Sequence, residues 1–127
     1  MTTFAAIAAC VVLAALAVFQ LLLAAGAPLG RFAWGGRHPG ALPPPLRVGS
    51  VVSVAVYVLI ATLLLDRAGL LSTGLPEGVV AVATWVVAAY FVLGIPMNLA
   101  SRSRDERRVM APTAAVLCAL SVAVALG

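Results

Sequence analysis

FAAIAACVVLAALAVFQLLLAA, residues 4–25, holds no charged side chain and a single amide, Gln20. At a rise of 1.5 Å per residue, about 20 such residues cross a hydrocarbon core of about 30 Å, so the stretch predicts a transmembrane helix. Its Ala25-Gly26-Ala27 end has the small side chains of a signal-peptide cleavage site. A positive segment before it is missing and the apolar run is too long for a signal peptide, so it reads as a true span. Three further spans follow at about 48–65, 79–97 and 109–126, none with an ionised side chain in its middle.

Composition agrees with that reading. Hydrophobic residues make up 64% of the chain and charged residues 9%, where an ordinary soluble domain is about a quarter charged. The apolar residues fall in long blocks and not in the short periodic segments of a water-soluble core, so their solvent is lipid. The expected fold is an all-α membrane protein, one four-helix transmembrane domain over residues 1–127.

The connections carry the orientation. Arg31, Arg37 and Arg47 lie in the first, Arg102, Arg104, Arg107 and Arg108 in the third, and only Arg67 in the second. The positive-inside rule counts basic residues near span ends, so it puts the first and third connections in the cytoplasm and both termini, Met1 and Gly127, outside it. Asp105 and Glu106 do little against this. The absence of lysine, with the wealth of Ala, Gly and Val, suggests a GC-rich bacterial gene and hence a bacterial cytoplasmic membrane.

Gly35-Gly36 and Pro43-Pro44-Pro45 keep the first connection from continuing either helix and predict coil or a short extended stretch. Leu70, Leu71 and Leu75 in the second suggest a segment lying along the membrane surface. Trp85 is placed near the outer interface, where an amphipathic ring is at home. Gly26-Ala27-Pro28-Leu29-Gly30 after the first span is weakly echoed by Gly94-Ile95-Pro96-Met97-Asn98 at the end of the third. This permits a description as two hairpins in a parallel 2+2 repeat, an arrangement found in some transporters.

Ser103 and Glu106 have capping-box spacing, so the fourth helix is expected to begin in water near Arg104, with Glu106 as a structural cap. Ala111, Ala115, Ala119 and Ala123 recur every four residues, a spacing that lets membrane helices approach closely. They serve packing within the bundle or a homo-oligomer interface.

Polar residues inside the spans outline a candidate site. Ser50, Ser53 and Tyr57 share one face of the second helix, and Gln20 and Tyr90 fall in the middle or cytoplasmic half of theirs. A lone amide in hydrocarbon is costly, so these groups are expected to face inward and bond to one another, as a structural network or as the lining of a cleft. Seven of the eight arginines lie on the same side, and a guanidinium can grip phosphate through two parallel hydrogen bonds. The expected ligand-binding set is therefore Gln20, Ser53, Tyr57, Tyr90 and Asn98 together with Arg31, Arg37, His38, Arg47, Arg104 and Arg107.

Cys10 and Cys118 sit in apolar blocks and read as small hydrophobes, neither metal ligands nor a disulfide. His38 has no companion ligand nearby, and the chain has no phosphate-loop lysine, so no metal, cofactor or nucleic acid is expected. The lack of an ionisable group within the spans argues against proton-coupled transport by a monomer. The functional expectation is a non-enzymatic binding or transport component with a cytoplasmic-side site for a lipid-like or anionic amphipathic ligand. A small enzyme acting on a lipid and a structural subunit of a larger complex are the alternatives.

The pattern Gly26-Ala27-Pro28-x-Gly30, Trp34-Gly35-Gly36-Arg37, Leu42-Pro43 and Arg47, then Asn98-x-x-Ser101-x-Ser103-x-x-Glu106-Arg107, resembles that of uncharacterised small four-span bacterial integral membrane proteins. The likeness covers most of the chain. It implies the four-helix architecture and two distinctive cytoplasmic connections, and it carries no activity to transfer.

Overall fold

In the computed structural model, which describes residues 2–127, four helices account for most of the chain: α1 (Thr2–Ala24), α2 (Pro44–Arg67), α3 (Glu77–Leu99) and α4 (Arg104–Leu126). Each is long and apolar enough to cross a membrane, and no strand occurs among the described residues. The chain is a multi-pass membrane protein. Met1, expected outside the cytoplasm, lies outside the described residues.

The α3–α4 and α1–α2 pairs pack most extensively, α1 closes against α4, and the α2–α3 seam is the loosest of the four neighbouring interfaces. Small side chains permit the close approaches: Ala5, Ala6 and Ala9 of α1 are buried, with Leu13, Leu64, Val87, Leu117 and Val124 filling the space between them. This core occupies the half of the bundle near the termini, where Thr2 of α1 lies against Gly127. There Arg67 donates through Nη2 to the Ala125 carbonyl at 2.9 Å and so covers an acceptor at the end of α4. Leu70, Leu71 and Leu75 of the nearby connection are exposed, as is Trp85.

Helix α1 stops because Gly26 turns left-handed, with φ of 100°, in a Schellman motif: Ala27 N–H bonds to Leu22 O at 2.9 Å and Gly26 N–H to Leu23 O at 3.1 Å. The connection that follows is irregular over residues 37–43, as the prolines suggested, but two short helical turns precede that part. Two 3₁₀ turns, Gly30–Phe32 and Trp34–Gly36, fold back on residues 39 and 40 through Gly30 N–H to Gly40 O and Arg31 N–H to Pro39 O. Helix α2 then starts at Pro44, about a turn before the expected 48. A proline in the first turn lacks only an N–H that has no helical partner there, and its fixed φ already suits the helix. At the end of the third span, Pro96 sits inside α3, which runs on to Leu99.

Candidate cavity at the arginine-bearing end

The compact connection between α1 and α2 forms a floor under one end of the bundle. Trp34 takes a left-handed conformation, φ 54°, unusual for a bulky residue. Its ring lies against Gly49, and its indole Nε1 donates to the buried Ser50 Oγ at 3.3 Å. Gly36 packs on Ser103 so closely that a Cβ would meet the Ser103 Cβ at 2.5 Å, and Gly35 O accepts from Arg102 N–H at 3.1 Å. The first and third connections are thereby docked to each other, as the Arg31–Asp105 ion pair of 3.1 Å on the exposed surface also shows.

Above this floor is a cavity of about 420 Å³, within the roughly 300–1,000 Å³ range of small-molecule sites. All four helices wall it. Leu16, Phe19 and Gln20 come from α1, Ser53 and Tyr57 from α2, and Tyr90, Phe91, Leu93, Gly94, Met97 and Asn98 from α3. Helix α4 contributes Glu106, Met110, Thr113, Ala114 and Leu117. From Glu106 to Leu117 the wall rises roughly 16 Å along α4, about half of a bilayer core. Tyr90, Leu93 and Met97 of the lining are more than half exposed on the outer surface of the bundle.

Five of the expected site residues, Gln20, Ser53, Tyr57, Tyr90 and Asn98, meet in this cavity. Gln20 Nε2 donates to Tyr57 Oη at 3.3 Å, while Gln20 Oε1 is buried with no partner among the described residues. The arginines and His38 do not line it. Arg47 Nε donates to Leu42 O at 3.0 Å and its guanidinium covers Gly26. Arg107 Nη1 donates to Ser101 O, and Arg31 pairs with Asp105. Arg37, His38 and Arg104 are exposed beside the floor. Cys10 and Cys118 are free thiols, each directed at a backbone carbonyl of a neighbouring helix.

Glu106 and Trp34 were not among the expected site residues. Ser103 does cap α4, accepting from Glu106 N–H at 3.4 Å, but the reciprocal half of the box is not formed: Ser103 N–H bonds instead to Ser101 Oγ at 3.1 Å. The Glu106 carboxylate is thus free of capping, 5% exposed, and part of the cavity wall. No ion pair involves it; among the described residues the one salt bridge is Arg31–Asp105. Its place was legible in the helical repeat, since Glu106, Ala111, Ala114, Leu117, Ser121 and Val124 form one buried stripe of α4.

Comparison with protein-family models, curated proteins and solved structures gives no match. The site's own chemistry has to carry its interpretation.

Proposed function

We propose that this protein is a non-enzymatic binding or transport component that admits an amphipathic, lipid-like molecule into the cavity between its helices. The observation that carries the reading is the cavity's polarity gradient. Glu106 and Asn98 lie toward the arginine-bearing end, whereas Leu16, Phe91 and Leu117 lie toward mid-helix. A molecule with a polar head and a hydrocarbon body matches both ends. The floor built by Trp34 and Gly36 obstructs entry along the bundle axis, so the ligand enters sideways through the loosely packed α2–α3 seam, past Tyr90, Leu93 and Met97.

By the positive-inside rule this end faces the cytoplasm of a bacterial cell, with the termini on the other side. Arg37 and Arg104, exposed and engaged with no acidic side chain, give the surface beside the cavity an attraction for phosphate of about 1 kcal/mol per arginine. Self-association through the exposed alanines of α4 completes the proposal.

Native mass spectrometry of protein extracted in mild detergent tests it. Thr113 lines the cavity and its hydroxyl bonds only to its own helix at Val109 O, so Thr113→Phe fills space without removing a cross-helix bond. Wild type should retain an amphiphile that Thr113→Phe loses. Equal retention by the two would place the ligand on the outer surface of the bundle and refute the cavity reading.

A further inference from the structure

The lining of the cavity carries one acidic side chain, Glu106, and no basic one. Ser53 Oγ donates to Gly49 O at 3.0 Å, and Asn98 Nδ2 to Gly94 O at 2.7 Å. Thr113 Oγ1 donates to Val109 O and Gln20 Nε2 to Tyr57. These groups bond to the protein itself, while the Tyr57 and Tyr90 hydroxyls can donate or accept toward the cavity. Two of the acceptors belong to side chains at least nine-tenths buried: the Glu106 carboxylate, and Gln20 Oε1, which has no partner. No arginine or histidine reaches the lining. The Glu106 side chain therefore faces the cavity with no counter-charge in the lining.

Both acceptors stand near the same end. Gln20 is four residues before the end of α1 and Glu106 is the third residue of α4, each within about one turn of its helix terminus. A head carrying net negative charge would meet Glu106 directly on entering the cavity.

We propose that the cavity is a site for a primary ammonium group carried on a hydrocarbon body, with Glu106 as its counter-charge and Gln20 Oε1 as a second acceptor. The proposal rests on the reading of the cavity as an amphiphile site and adds the chemistry of the head. Three N–H donors on one positive nitrogen answer two acceptors in a way that a quaternary ammonium, which has no N–H, does not. The nitrogen comes from a free alkylamine or from the headgroup of an aminophospholipid.

The test uses the full chain with Trp85→Phe in phosphatidylcholine vesicles, so that fluorescence reports on Trp34 in the cavity wall. Three quenchers of equal chain length are titrated: a bromoalkyl primary ammonium, its trimethylated counterpart and a bromoalkanoate. Saturable quenching by the primary ammonium is expected, weakened about tenfold by Glu106→Gln and about tenfold for the trimethylated compound, the loss of one charge-assisted hydrogen bond. Glu106→Gln keeps the side chain's shape, and the comparison of head groups on the unsubstituted Glu106 protein needs no variant in the cavity. Equal affinity for all three compounds overturns the ammonium site while leaving amphiphile binding intact. Saturation by none of them removes the amphiphile reading as well. Vesicles carrying brominated phosphatidylethanolamine or phosphatidylglycerol then identify the source. Preferential quenching by the former marks the lipid headgroup, and preference seen only among the free compounds marks a soluble amine.

Discussion

Trp34 reaches Ser50 across 3.3 Å, and that single bond joins the strained tip of the first connection to the wall of α2. A bulky residue at positive φ costs of order 1–3 kcal/mol, which the surrounding contacts must offset. Ser50 is completely buried, so Ser50→Ala leaves the indole N–H without its acceptor, at a cost of about 1–2 kcal/mol. The expected result is a lower unfolding midpoint in mixed micelles and increased acrylamide quenching of Trp34 in a Trp85→Phe background. Unchanged quenching would mean that the ring is held by Gly49 and its neighbours alone.

Adjacent glycines in the floor separate backbone strain from collision. Gly35 and Gly36 have φ of 75° and 72°, but a Cβ on Gly35 meets nothing within 4 Å, whereas one on Gly36 meets Ser103 at 2.5 Å. Gly35→Ala should therefore cost only the left-handed penalty of about 1–2 kcal/mol. Gly36→Ala adds a displacement of the floor from the α3–α4 connection and should destabilise more. Equal midpoints for the two variants would show that the docking of Gly36 on Ser103 contributes nothing.

The helices were readable because a continuous apolar run with its charges at the ends has one structural outcome in lipid. The start of α4 followed from Ser103 at its cap position. The start of α2 did not, because Pro44 reads as loop in isolation and becomes the first turn only once the preceding residues are folded back. Gln20, Ser53, Tyr57 and Tyr90 were singled out by a simple rule, that polar groups in hydrocarbon seek one another, but only Gln20 and Tyr57 bond to each other; Ser53 bonds to its own helix at Gly49 O, and Tyr90 is half exposed. Glu106 was missed because a local explanation, the capping box, was available for it. Which of Ser101 Oγ and Glu106 takes the Ser103 N–H is decided by the packing of the connection, and spacing does not encode that. The left-handed Trp34 is likewise imposed by contacts from residues distant in the chain.

The arginines divide into two kinds by what they touch. Arg47 bonds to Leu42 O and covers Gly26, so Arg47→Lys removes the planar donor set and should lower stability by about 1 kcal/mol. Arg37 makes no bond to the rest of the protein among the described residues, and Arg37→Lys should leave the midpoint unchanged while weakening retention of phosphate-bearing lipid if its fork is used. Native mass spectrometry and a micelle-unfolding curve on the same samples distinguish these outcomes. Equal lipid retention by Arg37→Lys and wild type would reduce this arginine to a topology signal.

Orientation can be measured through exposed positions near the two ends of the bundle, of which Gly127 needs the Thr2 side chain to move aside. Single cysteines at Arg37 and Arg104, in a background without Cys10 and Cys118, should be protected from an impermeant thiol reagent in whole cells, whereas one at Gly127 should be labelled. Labelling at Arg104 with protection at Gly127 would invert the assignment.

The four alanines of α4 do not share one surface. Successive steps of four residues advance about 400° around a helix of 3.6 residues per turn, so each alanine is rotated by about 40° from the last. Ala111 is consequently buried at 5% exposure, Ala123 packs partly against the core, and Ala115 and Ala119 face outward. Self-association through α4 would use the outward pair, where larger side chains hold two backbones apart. Ala115→Leu with Ala119→Leu should shift the protein toward the monomer in mild detergent without changing its unfolding midpoint. Ala111→Leu should do the reverse, overpacking the bundle at a cost of about 1–3 kcal/mol with no direct effect on assembly. Sedimentation and unfolding measured on both variants decide the matter, and a mass unaffected by the outward leucines would confine the role of these alanines to a single bundle.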